Sequence, residues 1–312
     1  MGYDGPVVRE HAVTQKIGII AARSKTEANA LAPEIAAWLE DRGIDAVLEQ
    51  ELNDNGIADV SAIVVLGGDG LMMRAANAYP DTPLLGINFG QVGFLTLVEQ
   101  QHWREALDAL VSGKVAVETS STLNATLWRG GQDRDEGWAI NDVVIRSGNR
   151  MVEVELYLDG DFVNMYPGDG MIVSTARGST AYCMAAGGPI LTAGVKGFAL
   201  VPISCHSPIR TPLVVSEETS IELVVTNEHP ASLILDGRTG TELTQGDVVK
   251  VERGQHTFQL AKVGTISFYE SVRTKFNFRI RPNAIPSRML SSGGAAISGF
   301  QHGGTPDGDL TS

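Results

Sequence analysis

The chain changes its pattern once, near Gly113, and that change limits the folds open to it. Before it, short apolar runs alternate with helical periodicity; after it, apolar runs follow one another closely with few helices. The first half opens on the run Lys16 to Ala22, then places Ala28, Leu31, Ile35, Trp38 and Leu39 at three- and four-residue intervals, the spacing of one apolar helix face. Ser24 and Glu27 have the spacing of a capping box, and Gly43 stands where a helix C′ glycine would. Ile44 to Leu48, Ala62 to Leu66 and Pro83 to Ile87 read as further buried strands, with helical patterns at Leu71 to Ala78 and Trp103 to Val111. Strand and helix in alternation predict an α/β fold, a Rossmann-like doubly wound parallel sheet.

The second half predicts strands at Val115 to Trp128, Trp138 to Ile145, Val152 to Leu158, Met171 to Ser174, Ala199 to Ile203, Ile221 to Val225, Leu233 to Leu235, Val248 to Glu252 and Thr257 to Leu260. The organisation expected is an α/β domain over residues 1–117, a β-rich domain over 118–265, a C-terminal segment over 266–282 with a closing helix at Ser267 to Phe276, and a disordered Gly/Ser-rich tail over 283–312.

Charge narrows the partners. The chain has 24 Lys plus Arg against 37 Asp plus Glu, a net −13, which repels a nucleic-acid backbone or an anionic membrane. Neither partner is expected. Small anions remain open, because backbone amides and helix N-termini hold phosphates without much lysine or arginine. With 35 glycines in 312 residues, many sites let backbone approach a ligand. Cys183 and Cys205 show no metal or redox spacing, and no apolar run reaches a membrane span, so a cytoplasmic protein is expected.

Gly67-Gly68-Asp69-Gly70 lies at the end of a predicted strand and before a helix, where open α/β sheets bind ligands. Its glycines free the backbone for an anion, and Asp69 puts beside it a carboxylate that can take a proton or meet a metal; an ordinary tight turn is the alternative. No Walker A loop and no Gly-x-Gly-x-x-Gly occur in the chain. A second glycine cluster, Gly86 to Leu95, opens onto the same rim. Asn141-Asp142 interrupts an apolar run; such a pair suits a ribose diol or marks a bulge. Asp169-Gly170 begins a strand that runs into Arg177-Gly178-Ser179-Thr180-Ala181-Tyr182, a small-residue loop before a helix, where Tyr182 can stack or simply pack. Asp236-Gly237-Arg238 is a predicted turn, with Arg238 open to an anion or to solvent.

In order along the chain, Gly67-Gly68-Asp69-Gly70, Asn141-Asp142, Asp169-Gly170, Gly178 to Tyr182, Gly187-Gly188-Pro189-Ile190, Pro212 to Val215 and Asp236-Gly237 resemble the NAD kinase family (ATP-NAD or polyphosphate-NAD kinases) over nearly all of Lys16 to Phe278. The resemblance implies an α/β domain joined to a β-sandwich, with the C-terminal segment returning to the first domain. It implies phosphoryl transfer from ATP or another donor to NAD with a divalent cation such as magnesium, and a homodimer or homotetramer. Asp69 then corresponds to the proton acceptor or magnesium holder, and Gly70, Asn141, Asp142, Asp169, Arg177, Gly178, Ser179, Thr180, Ala181, Tyr182 and Arg238 to the dinucleotide site; no metal ligand set is assigned. Leu71, Ala176, Arg177, Asp142 and Arg238 depart from the family's usual residues. Arg177 is expected to meet a phosphate, the alternative being that it obstructs the loop or points into solvent. A non-catalytic NAD-binding regulator and a related lipid or small-molecule kinase are the alternatives.

Overall fold

A computed structural model of the chain describes residues 16–54, 60–90, 93–192, 194–208 and 210–264, with residues 269, 272, 273 and 276 beyond them. The alternating half runs β1 (Lys16–Ala21), α1 (Thr26–Glu40), β2 (Asp45–Leu48), α2 (Glu49–Asp54), β3 (Ala62–Gly67), α3 (Asp69–Ala78), β4 (Leu84–Asn88), β5 (Val98–Glu99) and α4 (Trp103–Val111). Its strands are parallel in the order β2-β1-β3-β4-β5. Residues of α1 and α4 pack on one face of the sheet with Ile17, Ile19, Val64 and Ile87, while Leu52 of α2 and Met72 and Ala75 of α3 pack on the other with Ile20, Ile63 and Val65. Covered on both faces, β3 is a continuous apolar strand rather than an alternating one. Ile63, Val64, Val65 and Leu66 are fully buried, each contributing about 1.5–3 kcal/mol.

Helix α1 ends as its glycine predicts: Gly43 has φ +73, its N–H reaches Glu40 O at 2.9 Å, and Ile44 N reaches Leu39 O at 3.1 Å, a Schellman closure. Its start departs from expectation. Lys25 takes the N-cap without a side-chain hydrogen bond, so Ser24 lies outside the first turn and the capping box does not form. The Asn29 amide instead donates back to the carbonyls of Ala22, Arg23 and Lys25.

The second half contributes β6 (Ala116–Arg129), β7 (Gln132–Ala139), β8 (Asp142–Ser147), β9 (Val152–Leu158), β10 (Asp161–Gly168), β11 (Gly170–Ser174), a 3-10 turn (Gly178–Thr180), α5 (Tyr182–Ala185), β12 (Gly197–Ile203), β13 (Leu213–Ser216), β14 (Ile221–Val225), β15 (Ala231–Leu235), β16 (Arg238–Leu243) and β17 (Val248–Lys262). Six strands form one sheet in the order β13-β12-β11-β8-β15-β16. The rest extend the parallel sheet as β4-β17-β14-β9-β10, with β6 and β7 paired alongside. Val143, Ile145, Met171, Val173 and Leu233 of one sheet meet Leu123, Val154, Leu223, Val249 and Val251 of the other in a single core, which makes this half a β-sandwich.

Two expected strands are divided differently. The run Trp138 to Ile145 breaks at Ile140-Asn141, where the chain leaves one sheet for the other. The runs at 248–252 and 257–260 are one strand, β17, whose register against β6 shifts between Arg253 and Thr257. Asp81, after α3, holds that irregularity: it accepts from Thr257 N at 2.6 Å and Thr257 Oγ1 at 2.9 Å and pairs with His256 Nδ1 at 2.8 Å. The described residues from 16 to 264 belong to one compact unit. Of the expected closing helix only Tyr269, Val272 and Arg273, all helical, and Phe276, whose N–H reaches Val272 O at 3.0 Å, are described, and the expected tail falls outside the described residues.

Candidate functional site

The strand order β2-β1-β3-β4 sends β1 into α1 on one face of the sheet and β3 into α3 on the other. Between their carboxyl ends a crevice must open. A cleft of about 530 Å³ lies there, lined by Ala22, Arg23, Ser24, Gly70, Leu71 and Arg74. Gly68 caps α3 in extended conformation, so Asp69 is the first residue of the helix and Gly70 is exposed on its free first turn. Arg23 and Arg74 bring positive charge to the cleft wall, although Arg74 also pairs with Glu49 at 2.6 Å. Lys25 stands close by and donates to Phe89 O.

The Asp69 carboxylate is fixed from the other side. Oδ2 accepts from Phe94 N at 2.7 Å; Oδ1 accepts from Leu95 N, Thr96 N and Thr96 Oγ1, each at 3.1 Å. These bonds set one orientation and leave Oδ2 with a second acceptor position. The loop approaches this closely because Gly93 has no side chain: a Cβ there would sit 1.7 Å from Asp69 Oδ1. Gly86 likewise lets the loop lie on β4, since its Cβ would meet Leu95 O at 2.8 Å. Asn88, at the end of β4, is buried, and among the described residues its Nδ2 has no hydrogen-bond partner.

The break before β8 is organised by Asp236, which takes φ +50 in the turn after β15. Its carboxylate accepts from Ile140 N at 2.8 Å, Asn141 N at 2.7 Å and Asp142 N at 3.2 Å. Burial, and then the Asp236 charge, push the Asp142 carboxyl up to about 7. Thr175 ties the small-residue loop to the same break through Oγ1 to Ile140 O at 2.7 Å and N to Asn141 O at 2.9 Å. Gly178 then donates to Thr175 Oγ1 at 3.0 Å and packs so tightly that a Cβ would lie 2.1 Å from Asn141 O.

Asp69 lies within electrostatic reach of Arg177, which enters the Gly178–Thr180 turn packed on Asn141. Leu95, whose N–H holds Asp69, shares a core with Ile140 and Phe258, and the Arg177 guanidinium lies 4.8 Å from the Phe258 ring. Ser179 has a structural task, donating to Ala176 O at 2.6 Å and accepting from Leu191 N at 2.9 Å. Thr180 is half-buried and Ala181 exposed beside it. Tyr182 packs its ring against the cluster of Val144 and Ile172.

Three sequence-assigned residues are placed differently. Asp169 is exposed and begins the far end of β11, because Ser174 pairs with Asp142 while Gly170 pairs with Arg146. Five strand residues separate it from the Asn141 break by roughly 15 Å. Its N–H donates to Ile203 O at 2.9 Å, one residue before Ser204, which with Cys205, His206 and Arg210 lines a second cleft of about 630 Å³. Arg238 does not point freely to solvent or an anion; it donates to Asn77 Oδ1 of α3 at 2.9 Å. The Arg177 guanidinium meets Glu118 and Ser120 rather than an open anion position. Sequence reading named Gly93 only within the glycine cluster Gly86 to Leu95, and missed Thr96, Glu118 and the backbone-holding task of Asp236. Only the Asp-Gly turn hinted at the last, because its partners lie more than ninety residues away.

Comparison with known proteins agrees with this geometry. Residues 49–115 match a family model described as ATP-NAD kinase N-terminal domain, and residues 140–263 match ATP-NAD kinase C-terminal domain. An NAD kinase of Thermomicrobium roseum is 51% identical over 276 residues, covering 88% of this chain and 96% of its own. One from Thiobacillus denitrificans is 34% identical over 279 residues, covering 84% and 96%. Among solved structures, yeast NADH kinase complexed with NADH has a similar fold, with TM-score 0.77, 17% identity and coverage of 88% and 90%. An Archaeoglobus fulgidus NAD kinase in complex with ATP gives TM-score 0.65, 24% identity and coverage of 79% and 93%. With both halves matched in order and relatives aligned along most of its length, the chain belongs to the NAD kinase family.

Proposed function

We propose that this protein is an NAD kinase, transferring the γ-phosphoryl group of ATP to the 2′-hydroxyl of the adenosine ribose of NAD to give NADP and ADP. The observation that carries the reading is the Asp69 carboxylate, fixed at the mouth of the cleft by Phe94, Leu95 and Thr96 with an acceptor position left on Oδ2. As the ribose oxygen bonds to the γ-phosphorus and the bond to the bridging oxygen of ADP breaks, the hydroxyl proton passes to Asp69. The donor phosphates lie over the first turn of α3, with Gly70, Arg23, Lys25 and Arg74 around them. The adenosine end of NAD lies over Asn141, Asp142 and the loop Gly178 to Tyr182. Holding both substrates in line supplies most of the rate, since phosphoryl transfer depends chiefly on positioning and charge stabilisation.

Among the described residues no group of three His, Cys, Asp or Glu side chains could hold a metal ion, and Asp69 already accepts four hydrogen bonds. The described residues build no resident magnesium site of that kind. Magnesium belongs with the donor, as its complex with the phosphates, and no step is assigned through it. Cytoplasmic location and a homodimer or homotetramer are part of the proposal. Cys183 and Cys205 are free thiols, and among the described residues no helix is long and apolar enough to cross a membrane. The test is to incubate the purified chain with NAD, magnesium and, in turn, ATP, other nucleoside triphosphates and polyphosphate, and to measure NADP. Formation with ATP is expected; no NADP with any donor would overturn the reading.

A further inference from the structure

Arg177 stands at the entry to the turn that packs on Asn141, and its side chain is only 11% exposed. The surface receiving it is built across two strands. Along β6, Glu118 and Ser120 are two residues apart and so point to one face; the ladder sets Phe258 opposite Ser120 and Leu260 opposite Glu118 on β17. Onto this face the guanidinium lays an ion pair with Glu118, two contacts to Ser120 Oγ at 3.1 and 3.2 Å, and its plane near the Phe258 ring. Lys262 takes the second Glu118 oxygen. Burial alone would raise the Glu118 carboxyl, yet Arg177 and Lys262 outweigh it and hold it below the usual carboxylate range. A planar fork fits this receiver, whereas an ammonium on a flexible stem would meet only part of it.

We propose that Arg177 is a positioning residue for dinucleotide binding: clamped by Glu118, Ser120 and Phe258, it fixes the Gly178–Thr180 turn against Asn141 and so sets the affinity for the adenosine end of NAD. The proposal rests on the NAD kinase reading and goes beyond it in assigning the clamp to the acceptor side; Arg177 also stands within electrostatic reach of Asp69, and both single variants below keep a cation at that position. A change at Arg177 or Glu118 displaces the turn, while the Asp69 loop and the donor cleft keep their own hydrogen bonds.

The test compares wild type with Arg177→Lys, Glu118→Gln and the double variant, measuring kcat, KM for NAD and for ATP, NAD Kd by calorimetry, and Tm. Both single variants are expected to raise KM and Kd for NAD about tenfold, with kcat and KM for ATP within about twofold. The double variant is expected to be no worse than the more affected single, because both act through one contact. Unchanged NAD affinity with a lowered Tm would overturn the proposal, leaving the clamp as a brace of the fold. Loss of kcat at unchanged NAD affinity, or additive effects in the double variant, would overturn it as well. A wild type that binds NAD but forms no NADP would contradict the kinase reading alone, and the clamp would still be judged from the NAD Kd values.

Discussion

Asp142 sits between two demands: its backbone is held by Asp236, and the same carboxylate, together with burial, pushes its own carboxyl up to about 7. The unfolded chain releases that proton near the ordinary aspartate value of 3.8. Between about pH 4 and pH 7 the folded state therefore binds more protons than the unfolded state, and stability falls as pH rises through that window. Asp142→Asn removes the dependence. The variant is expected to match wild type in stability near pH 4 and to exceed it increasingly up to pH 7, by an amount of the order of a few kcal/mol at about 1.4 kcal/mol per unit, read as a growing Tm difference. Thermal melts at pH 4, 5.5 and 8 check this; a Tm difference independent of pH would contradict it. The polar pair was visible in the sequence because it interrupts an apolar run. Its electrostatics were not, since the partner is 94 residues away.

The loop after β4 is what turns a Gly-Gly-Asp-Gly turn into a fixed carboxylate. Gly93→Ala places a Cβ on Asp69 Oδ1 and within 2.5 Å of Thr96 Oγ1, so either the loop or the carboxylate must move. The expected outcome is a kcat at least tenfold lower, with NAD affinity within a few fold; wild-type kcat would contradict the role given to the loop. At this scale β1, β3 and β4 were readable because they are buried on both faces, and α4 because it is strongly periodic; β5, two residues long, was not. Strand β7 was not: Gln132 to Asp135 are polar and exposed, and only pairing with β6 makes them a strand. Nor was the unity of β17, because the segment between Arg253 and Thr257 breaks the alternation and is held by Asp81 from another part of the chain.

Over the whole molecule, β17 joins the two halves. Val249 and Val251 enter the sandwich core, Phe258 and Leu260 the core under α3, and Ala261 the core under α1; Leu260 pairs with Leu84 of β4. The change of pattern near Gly113 announced two kinds of layer, but local periodicity carries no sign of a strand shared between three cores. In the proposed reading this junction brings the chemistry of one half against the binding surface of the other: Asp69 comes from the α/β layers, while Asn141, Asp142 and the loop Gly178 to Tyr182 come from the sandwich. Binding and proton transfer should then separate on mutation. The most direct test is to measure NADP formation and calorimetric NAD binding side by side for wild type and Asp69→Asn. The account predicts a loss of about 100-fold or more in kcat, with the fold kept and NAD Kd within a few fold. A variant within a few fold of wild-type kcat would contradict it.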